Sequence, residues 1–278
     1  AAAVGQDFTH ACLSELMDSL SFCFMFIPHR NKKNWILTLG LTLLLTALSS
    51  FSFADNGGRA TGADCVVLLH GLARTSASMN RMADALQEDG YRVSNIDYPS
   101  REKTIEELAA GAVQEGVDQC RSMGAAHIHF VTHSLGGILV RVYLADRTIP
   151  ELGRVVMLAP PNRGSKVADE FSGVPGYGFL NGPAGYQLGT GPDSVPLKLG
   201  PADFEVGIIA GDRSINLILS AAFDGPNDGK VAVEDTRLEG MKDFLVVHHS
   251  HPFIMQSEEV IGQVSSFLKK GRFRKAEN

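Results

Sequence analysis

The chain has 278 residues, 44% of them hydrophobic, so it is long enough to bury a full core as one domain or as two small ones. Its 25 lysine and arginine residues stand against 31 acidic residues, which gives a net charge of −6, and no basic stripe runs along a predicted helix. This charge pattern argues against nucleic-acid binding and favours a small neutral or apolar ligand.

Residues 25–54 have the features of a secretory signal peptide. A basic start is followed by an apolar stretch and by a Ser-Phe-Ala ending at Ala54 that suits signal peptidase. The alternative is an uncleaved transmembrane anchor, because the apolar stretch approaches the roughly 20 residues of a membrane span. Residues 1–24 lie upstream of the signal start at Met25, and we interpret them as a non-native or upstream extension. We therefore expect a secreted or periplasmic protein, or one anchored by this segment.

Residues 55–278 are expected to form a single domain in which strands alternate with helices. Apolar runs bounded by turns predict buried strands at 64–71, 91–99, 126–133, 154–160, 204–212 and 242–249. Apolar residues at helical spacing predict helices at 76–90, 104–124, 135–143 and 257–271, the second opened by a capping box of Thr104 and Glu107. This alternation indicates the α/β fold class, with a mostly parallel central sheet of about six strands and helices on both faces.

Residues 172–203 depart from this alternation. They are rich in glycine and proline with scattered aromatic residues, a composition that predicts no regular element. A loop of this length inside a compact domain is usually functional or disordered. We expect an ordered wall or partial lid over a site, with a plain surface excursion as the alternative.

Ser134 is the candidate nucleophile. It lies in Thr-His-Ser-Leu-Gly, between a predicted buried strand and a predicted amphipathic helix. A sharp turn between strand and helix exposes the serine hydroxyl, and small flanking residues let the two elements approach closely. Thr132 departs from the usual pattern, because a branched side chain stands where glycine is common. The structural alternative is that Ser134 only caps the helix.

His70, Gly71 and Leu72 follow the first predicted strand and form a second candidate element. Acyl transfer needs backbone N–H groups directed at the oxygen that becomes negative, commonly one from this loop and one from the residue after the nucleophile. Leu72 and Leu135 are therefore the candidates for an oxyanion hole. We expect the side chain of His70 to brace the loop rather than to act as a base.

From about residue 64 to its end, the chain resembles the α/β-hydrolase superfamily, particularly compact bacterial lipases and esterases. The resemblance is carried by the motifs VVLLHGL, VTHSLGG, LAPPNRGS, NDGKV and HHSHPFIM. It implies a catalytic triad in the chain order Ser, Asp, His. It also implies that LAPPNRGS lines one side of a pocket.

The resemblance offers two candidates for the acid and one for the base. Asp228 lies in a loop similar to that of small lipases, whereas Asp212 ends a predicted strand, and we favour Asp228. His251 precedes apolar residues as the base does in the family, while His248 and His249 are assigned to the strand end. The three close histidines also suggest a metal cluster, but no cysteine or suitably spaced carboxylate accompanies them, so we expect no metal and no cofactor.

Two cysteines remain once the predicted signal is removed. In an oxidising compartment Cys65 and Cys120 can pair, and two buried thiols are the alternative. The sheet order of the family implies that both lie at the same edge of the sheet, which leads to the hypothesis of a disulfide.

We therefore predict a serine hydrolase that cleaves carboxylic esters through an acyl-enzyme, acting on a small-molecule ester or an acyl lipid. Contact with a membrane or lipid surface is compatible with this prediction, and no nucleic-acid partner is expected. A thioesterase, amidase or acyltransferase with the same triad is the nearest alternative. A binding module with this fold and without catalysis is the alternative from another class.

Overall fold

The computed structural model describes residues 64–215, 220 and 223–275. The predicted signal peptide at 25–54 and the segment before it lie outside this part of the chain. Within the described residues, no helix has the length and apolar character that crossing a membrane requires.

All the strands in the described part of the chain belong to one parallel sheet, which confirms the α/β class and the expected number of strands. The sheet has six strands in the order β2-β1-β3-β4-β5-β6. The bounds are β1 Cys65–Leu69, β2 Arg92–Ile96, β3 Ile128–His133, β4 Leu152–Leu158, β5 Val206–Gly211 and β6 Asp243–Val247. From β1 the chain adds β2 on one side of the sheet, and from β3 onwards it adds β4, β5 and β6 on the other side. This is the order expected for a doubly wound sheet.

The buried strands read as continuous apolar runs because helices cover both faces of the sheet. Every residue of β1, β3 and β5 is buried. Alternate residues point to opposite sides, so Val67 joins the core on one face of the sheet and Val66 joins the core on the other. The sheet therefore forms a rigid support for the loops that leave its carboxyl edge.

The helices begin and end where the sequence provides caps. Thr104 accepts a hydrogen bond from the N–H of Glu107, whose carboxylate accepts one from the N–H of Thr104, so the predicted capping box is confirmed. The helix it opens, α2, runs to Ser122 through one π turn. The helical segments are α1 Asn80–Glu88, α2 Ile105–Leu108, Ala109–Val113 and Gln114–Ser122, α3 Leu135–Asp146, α4 Lys166–Ser172, α5 Tyr177–Tyr186, α6 Val195–Lys198 and α7 Glu258–Lys270, with short 3-10 turns at Ser76–Met79, Glu234–Thr236 and Ile254–Gln256.

The prediction of no regular element in residues 172–203 is wrong, because α5 and α6 lie within that range. Gly176, with φ of 90°, precedes α5 at its N-cap, and Gly182, with φ of 63°, divides α5 into two turns. A Cβ on Gly182 would lie 1.8 Å from the carbonyl oxygen of Arg101, so glycine permits a close contact there. The glycines cap and bend helices here, whereas composition alone suggested that they abolish them.

Cys65 and Cys120 form a disulfide, in agreement with the hypothesis from the sequence. The bridge joins the first residue of β1 to the last turn of α2, with the two Cα atoms 5.6 Å apart, and both residues are fully buried. It closes a loop across 55 positions of sequence.

We expect the double variant Cys65→Ala, Cys120→Ala to lose about 4 kcal/mol of unfolding free energy, because a cross-link over a long loop restricts the unfolded chain. Chemical denaturation with and without a reducing agent measures this loss. Reduction should lower the midpoint of the wild type and leave that of the variant unchanged. An equal number of free thiols in native and reduced wild-type protein would contradict the bridge.

Candidate active site

The predicted site residues come from segments that leave the carboxyl edge of the sheet. Leu72 follows β1, Ser134 follows β3 and His251 follows β6, while Asp228 lies between β5 and β6. Because the strands are parallel, their carboxyl ends meet at one edge, where α/β folds place their sites.

Ser134 occupies a strained turn between β3 and α3. Its φ of 51° is unusual for a residue with a side chain. The N–H of Ser134 donates to the carbonyl of Leu158 at 2.9 Å, and its carbonyl accepts from Gly137 at 3.0 Å. The side chain makes no capping hydrogen bond, which removes the reading of Ser134 as a helix cap. The backbone of this turn is thus fixed on both sides while the hydroxyl is free to face another group.

Two glycines allow the loops of the site to approach each other. A Cβ on Gly136 would lie 2.6 Å from the carbonyl oxygen of Leu69, and one on Gly71 would lie 2.6 Å from Nδ1 of His133. Contacts this short exclude a larger residue unless its neighbour moves. The turn at Ser134 therefore packs against the backbone at the end of β1, and the loop after β1 packs against the side chain of His133.

The structure shows how the branched side chain of Thr132 fits at a position where glycine is common. This residue is fully buried, and a Cβ on Gly137 would lie 3.2 Å from its Oγ1. The second glycine of the Ser-Leu-Gly-Gly segment therefore leaves the space that the side chain of Thr132 fills. The threonine is accommodated because α3 lacks a side chain opposite it.

Ser134, His251 and Asp228 form a continuous chain of hydrogen bonds. Ser134 Oγ lies 3.1 Å from Nε2 of His251, and Nδ1 of His251 lies 2.7 Å from Oδ2 of Asp228. All three residues are buried. Since a carboxylate can only accept, Nδ1 carries the proton and Nε2 presents its lone pair to the serine hydroxyl.

Backbone groups hold the carboxylate of Asp228 in place. Its Oδ1 accepts from the N–H groups of Lys230 at 2.9 Å and Val231 at 2.8 Å. The carbonyl of Asp228 also accepts from the N–H of His251 at 3.0 Å. The loop is thus shaped to keep one carboxylate oxygen free for the imidazole.

The other candidate acid contacts a different histidine. Asp212 lies 2.9 Å from Nδ1 of the exposed His248, and His249 contacts Glu259 at 3.2 Å and Ser257 at 2.8 Å. His251 alone among these three histidines contacts Ser134.

The N–H groups of Leu72 and Leu135 donate to no residue that the structure describes. Leu135 is the first residue of α3, where the helix dipole adds partial positive charge.

His70 braces the loop before Leu72, as predicted. Its ring stacks on the ring of Tyr98 with the ring centres 3.9 Å apart, and the hydroxyl of Tyr98 donates to the carbonyl of His70.

His133 is a site residue to which the sequence gave no role. Nε2–H of His133 donates to the carbonyl of His251 at 3.0 Å, and its Nδ1 has no partner among the described residues. Burial lowers the pKa of His133 well below its ordinary value, so the ring is neutral. Its position at the end of a buried strand, directly before Ser134, is the only signal that the sequence offered.

A cavity of about 600 Å³ opens beside Ser134 and His251. Pro161 and Ser165 of the LAPPNRGS segment line it, as the resemblance implied. Much of the remaining wall is apolar and comes from α4, α5 and the segments around them, through Ala168, Phe171, Val174, Tyr177, Leu180 and Leu188. The expectation of an ordered wall from the glycine- and proline-rich region is therefore confirmed. Within the described part of the chain, no group of three or more potential ligands is arranged to hold a metal ion.

The chain belongs to the alpha/beta hydrolase family, whose sequence profile matches residues 66–252. The fold is similar to that of the mature form of a Bacillus licheniformis lipase, with a TM-score of 0.63 and 20% identity over 78% of this chain and 95% of that one. A metagenomic carboxyl esterase gives a TM-score of 0.54 and 21% identity over 80% of this chain and 77% of that one. The phospholipase PlaB of Legionella pneumophila gives a TM-score of 0.57 and 18% identity over 74% of this chain and 55% of that one. No protein with a curated description matches the sequence.

Buried neutral histidines make the stability of the protein sensitive to acid. Burial lowers the pKa of His133, and likewise of His70 and His129, from the ordinary value of 6.5. Below that pH the unfolded chain binds more protons than the folded one, so the unfolding free energy falls as the pH falls, by up to about 1.4 kcal/mol per pH unit for each histidine.

Denaturant unfolding at several pH values between about 7 and 5 tests this expectation. His133→Gln cannot titrate and keeps an amide donor, so its loss of stability on acidification should be smaller. The exposed His248→Gln serves as the control, because it removes a histidine that is not buried. Equal slopes for wild type and His133→Gln would contradict the assignment of a neutral buried ring.

Packing of Thr132 against Gly137 predicts a coupling between them. Gly137→Ala should destabilise the fold by about 1–2 kcal/mol through overpacking. Combined with Thr132→Ala, the total loss should be smaller than the sum of the single losses by about 1 kcal/mol, because Thr132→Ala creates space beside the methyl group that Gly137→Ala adds. Gly111→Ala is the control, since a Cβ there meets nothing within 4 Å, and its effect should add to that of Thr132→Ala. Additivity in both pairs would contradict the packing argument.

Proposed function

We propose that the protein is a serine hydrolase that cleaves carboxylic esters through an acyl-enzyme. The observation that carries this proposal is the buried series from Ser134 Oγ to His251 Nε2 at 3.1 Å and from His251 Nδ1 to Asp228 Oδ2 at 2.7 Å. A serine hydroxyl becomes a nucleophile when a positioned base removes its proton and a carboxylate orients that base.

In the proposed reaction, Ser134 attacks the acyl carbonyl while His251 takes the proton from its Oγ. The carboxylate of Asp228 stabilises the imidazolium that forms. The free N–H groups of Leu72 and Leu135 donate to the oxygen that becomes negative. His251 then gives the proton to the leaving alcohol, and water, activated by the same histidine, releases the acid and restores Ser134.

Two observations favour an ester as the substrate. The cavity beside Ser134 has a largely apolar wall, which suits an acyl chain. The solved structures with a similar fold include proteins described as a lipase, a carboxyl esterase and a phospholipase. A thioesterase, an amidase and an acyltransferase use the same arrangement, so hydrolysis of matched esters, thioesters and amides distinguishes these activities.

The strain at Ser134 argues against a binding module without catalysis. A positive φ in a residue with a side chain has a cost, and such strain persists chiefly where a function maintains it. A binding module has no need for the strained serine together with the oriented histidine.

We further propose that the protein is exported and that residues 25–54 are its signal peptide, followed by a single domain at 55–278. The buried disulfide between Cys65 and Cys120 supports an oxidising compartment. The mass of the amino terminus from the native source tests this, because a chain that still carries residues 35–54 would instead support an anchor.

Fluorophosphonate labelling with peptide mapping tests the catalytic residues. The label should attach to Ser134 and be absent from Ser134→Ala. Esterase activity should fall by about 10⁴-fold or more in His251→Ala and by a similar factor in Asp228→Asn, which retains the shape but not the charge of the carboxylate.

Asp212→Asn is the matched control, because this carboxylate contacts His248 and not His251. It should label and hydrolyse at the wild-type rate. A fully active Ser134→Ala variant, or a folded wild-type chain that takes no label, would overturn the proposed function. Loss of activity in Asp212→Asn with a normal Asp228→Asn would reassign the acid.

A further inference from the structure

Positive charge is concentrated in the cavity beside Ser134. Arg74, Arg101 and Lys230 line it, and Asp228 is the one acidic residue among the described residues of the lining. Both carboxylate oxygens of Asp228 are already bound, one to His251 and the other to backbone N–H groups. With three cations against one carboxylate, the described lining carries an excess of positive charge.

The three cations come from separate segments that the fold brings together. Arg74 lies in the loop after β1, Arg101 lies between β2 and α2, and Lys230 lies in the loop of Asp228. This convergence occurs in a chain whose net charge is −6. The net charge of the whole chain therefore does not describe the charge of this cavity.

No described carboxylate lies within 4.0 Å of the charged end of any of the three. Arg74 donates to the carbonyl of Pro252 at 3.2 Å, and the hydrogen bond of Lys230 to Asp228 is made by its backbone N–H and not by its side chain. The internal residues outside the description, 216–219 and 221–222, contain no acidic residue. Some cations outside the cavity do have a carboxylate partner at short distance, as in the pairs Arg121–Glu151 at 2.9 Å and Lys166–Asp224 at 3.0 Å.

The charge of Arg74 acts on Lys230, and the charges of both act on His133, the residue before Ser134. Burial, followed by the positive charge of Arg74, lowers the pKa of Lys230, and burial lowers the pKa of Arg74. After burial and the neighbouring His251, the charges of Arg74 and Lys230 also lower the pKa of His133, the residue before Ser134. An anion in the cavity would relieve this repulsion and replace water around partly desolvated charges.

We propose that the cavity binds esters that carry an anionic group, a phosphate or a carboxylate, together with an apolar acyl chain. Arg74, Arg101 and Lys230 contact the anion, and the apolar wall from α4 and α5 contacts the chain. This inference rests on the proposed function, since it concerns the substrate of the same site.

Two substrate pairs separate the sources of the anion. The first compares 4-nitrophenyl pentanoate with the mono-4-nitrophenyl ester of glutaric acid, which places a carboxylate at the end of the acyl chain. The second compares a monoacylglycerol with the same monoacylglycerol 3-phosphate, which places a phosphate on the alcohol. We expect kcat/KM for the anionic ester to exceed that of its neutral partner by about tenfold at low salt in at least one pair, and the ratio to fall as salt is added.

Charge variants connect the preference to the cavity. Lys230→Gln and Arg101→Gln should each reduce the ratio of anionic to neutral kcat/KM by about twofold to threefold, because three cations share a preference of about tenfold, and Lys230→Glu should reduce it further. Lys230→Arg should retain the preference because it keeps the charge. Lys270→Gln is the matched control, since it removes one positive charge from an exposed position that does not line the cavity. Each ratio compares two substrates of one preparation, so a difference in the amount of folded protein cancels.

The outcomes distinguish the two proposals. Hydrolysis of both neutral esters at Ser134 without an anionic preference in either pair would overturn this inference and leave the proposed function intact. An equal ratio of anionic to neutral kcat/KM in Lys230→Gln, Arg101→Gln and Lys270→Gln would show that Lys230 and Arg101 do not bind the anion, and would overturn this inference. Absence of hydrolysis of every ester, together with absence of fluorophosphonate labelling, would overturn the proposed function and this inference with it.

Discussion

The site depends on one tight turn, at which β3 passes into α3 through Ser134. The turn requires a positive φ at Ser134 and an approach of α3 to the end of β1 so close that Gly136 has no room for a Cβ. Such a turn persists only if the elements on both sides are rigid, and the buried parallel sheet with its covering helices provides that rigidity. The same approach brings the loop of Leu72 beside Ser134, so the strain and the candidate oxyanion donors have a common structural origin.

The candidate base His251 is held in position by hydrogen bonds to its own backbone N–H and to its own backbone carbonyl. The N–H of His251 donates to the carbonyl of Asp228, and the carbonyl of His251 accepts from Nε2 of His133. His133 is in turn attached to the turn at Ser134 by the chain itself. The separation of the imidazole from the serine hydroxyl is therefore set by hydrogen bonds to the backbone, which are less mobile than contacts between long side chains.

Local patterns, namely apolar runs, a capping box and a Ser-containing motif at a strand end, were sufficient to predict the strands, the parallel sheet and Ser134. Asp228 and His251 were predicted from the resemblance to a known family. Prediction from the sequence failed for residues 172–203, since glycine and proline content does not distinguish a residue that caps or bends a helix from one that prevents it. It also missed the role of His133, whose partner lies 118 positions away, and the convergence of Arg74 and Lys230. Contacts of this kind depend on how separate segments pack, which no local pattern records.

Most of the apolar wall of the cavity comes from one continuous part of the chain, the segment with α4, α5 and α6 that connects β4 to β5. Extending a connection between two strands that are already paired adds little entropic cost, because loop-closure entropy rises only with the logarithm of length. Ser134, Asp228 and His251 all lie outside this segment. The length and sequence of the connection can therefore change, and with them the wall of the cavity, without a change in the strand order or in these three residues.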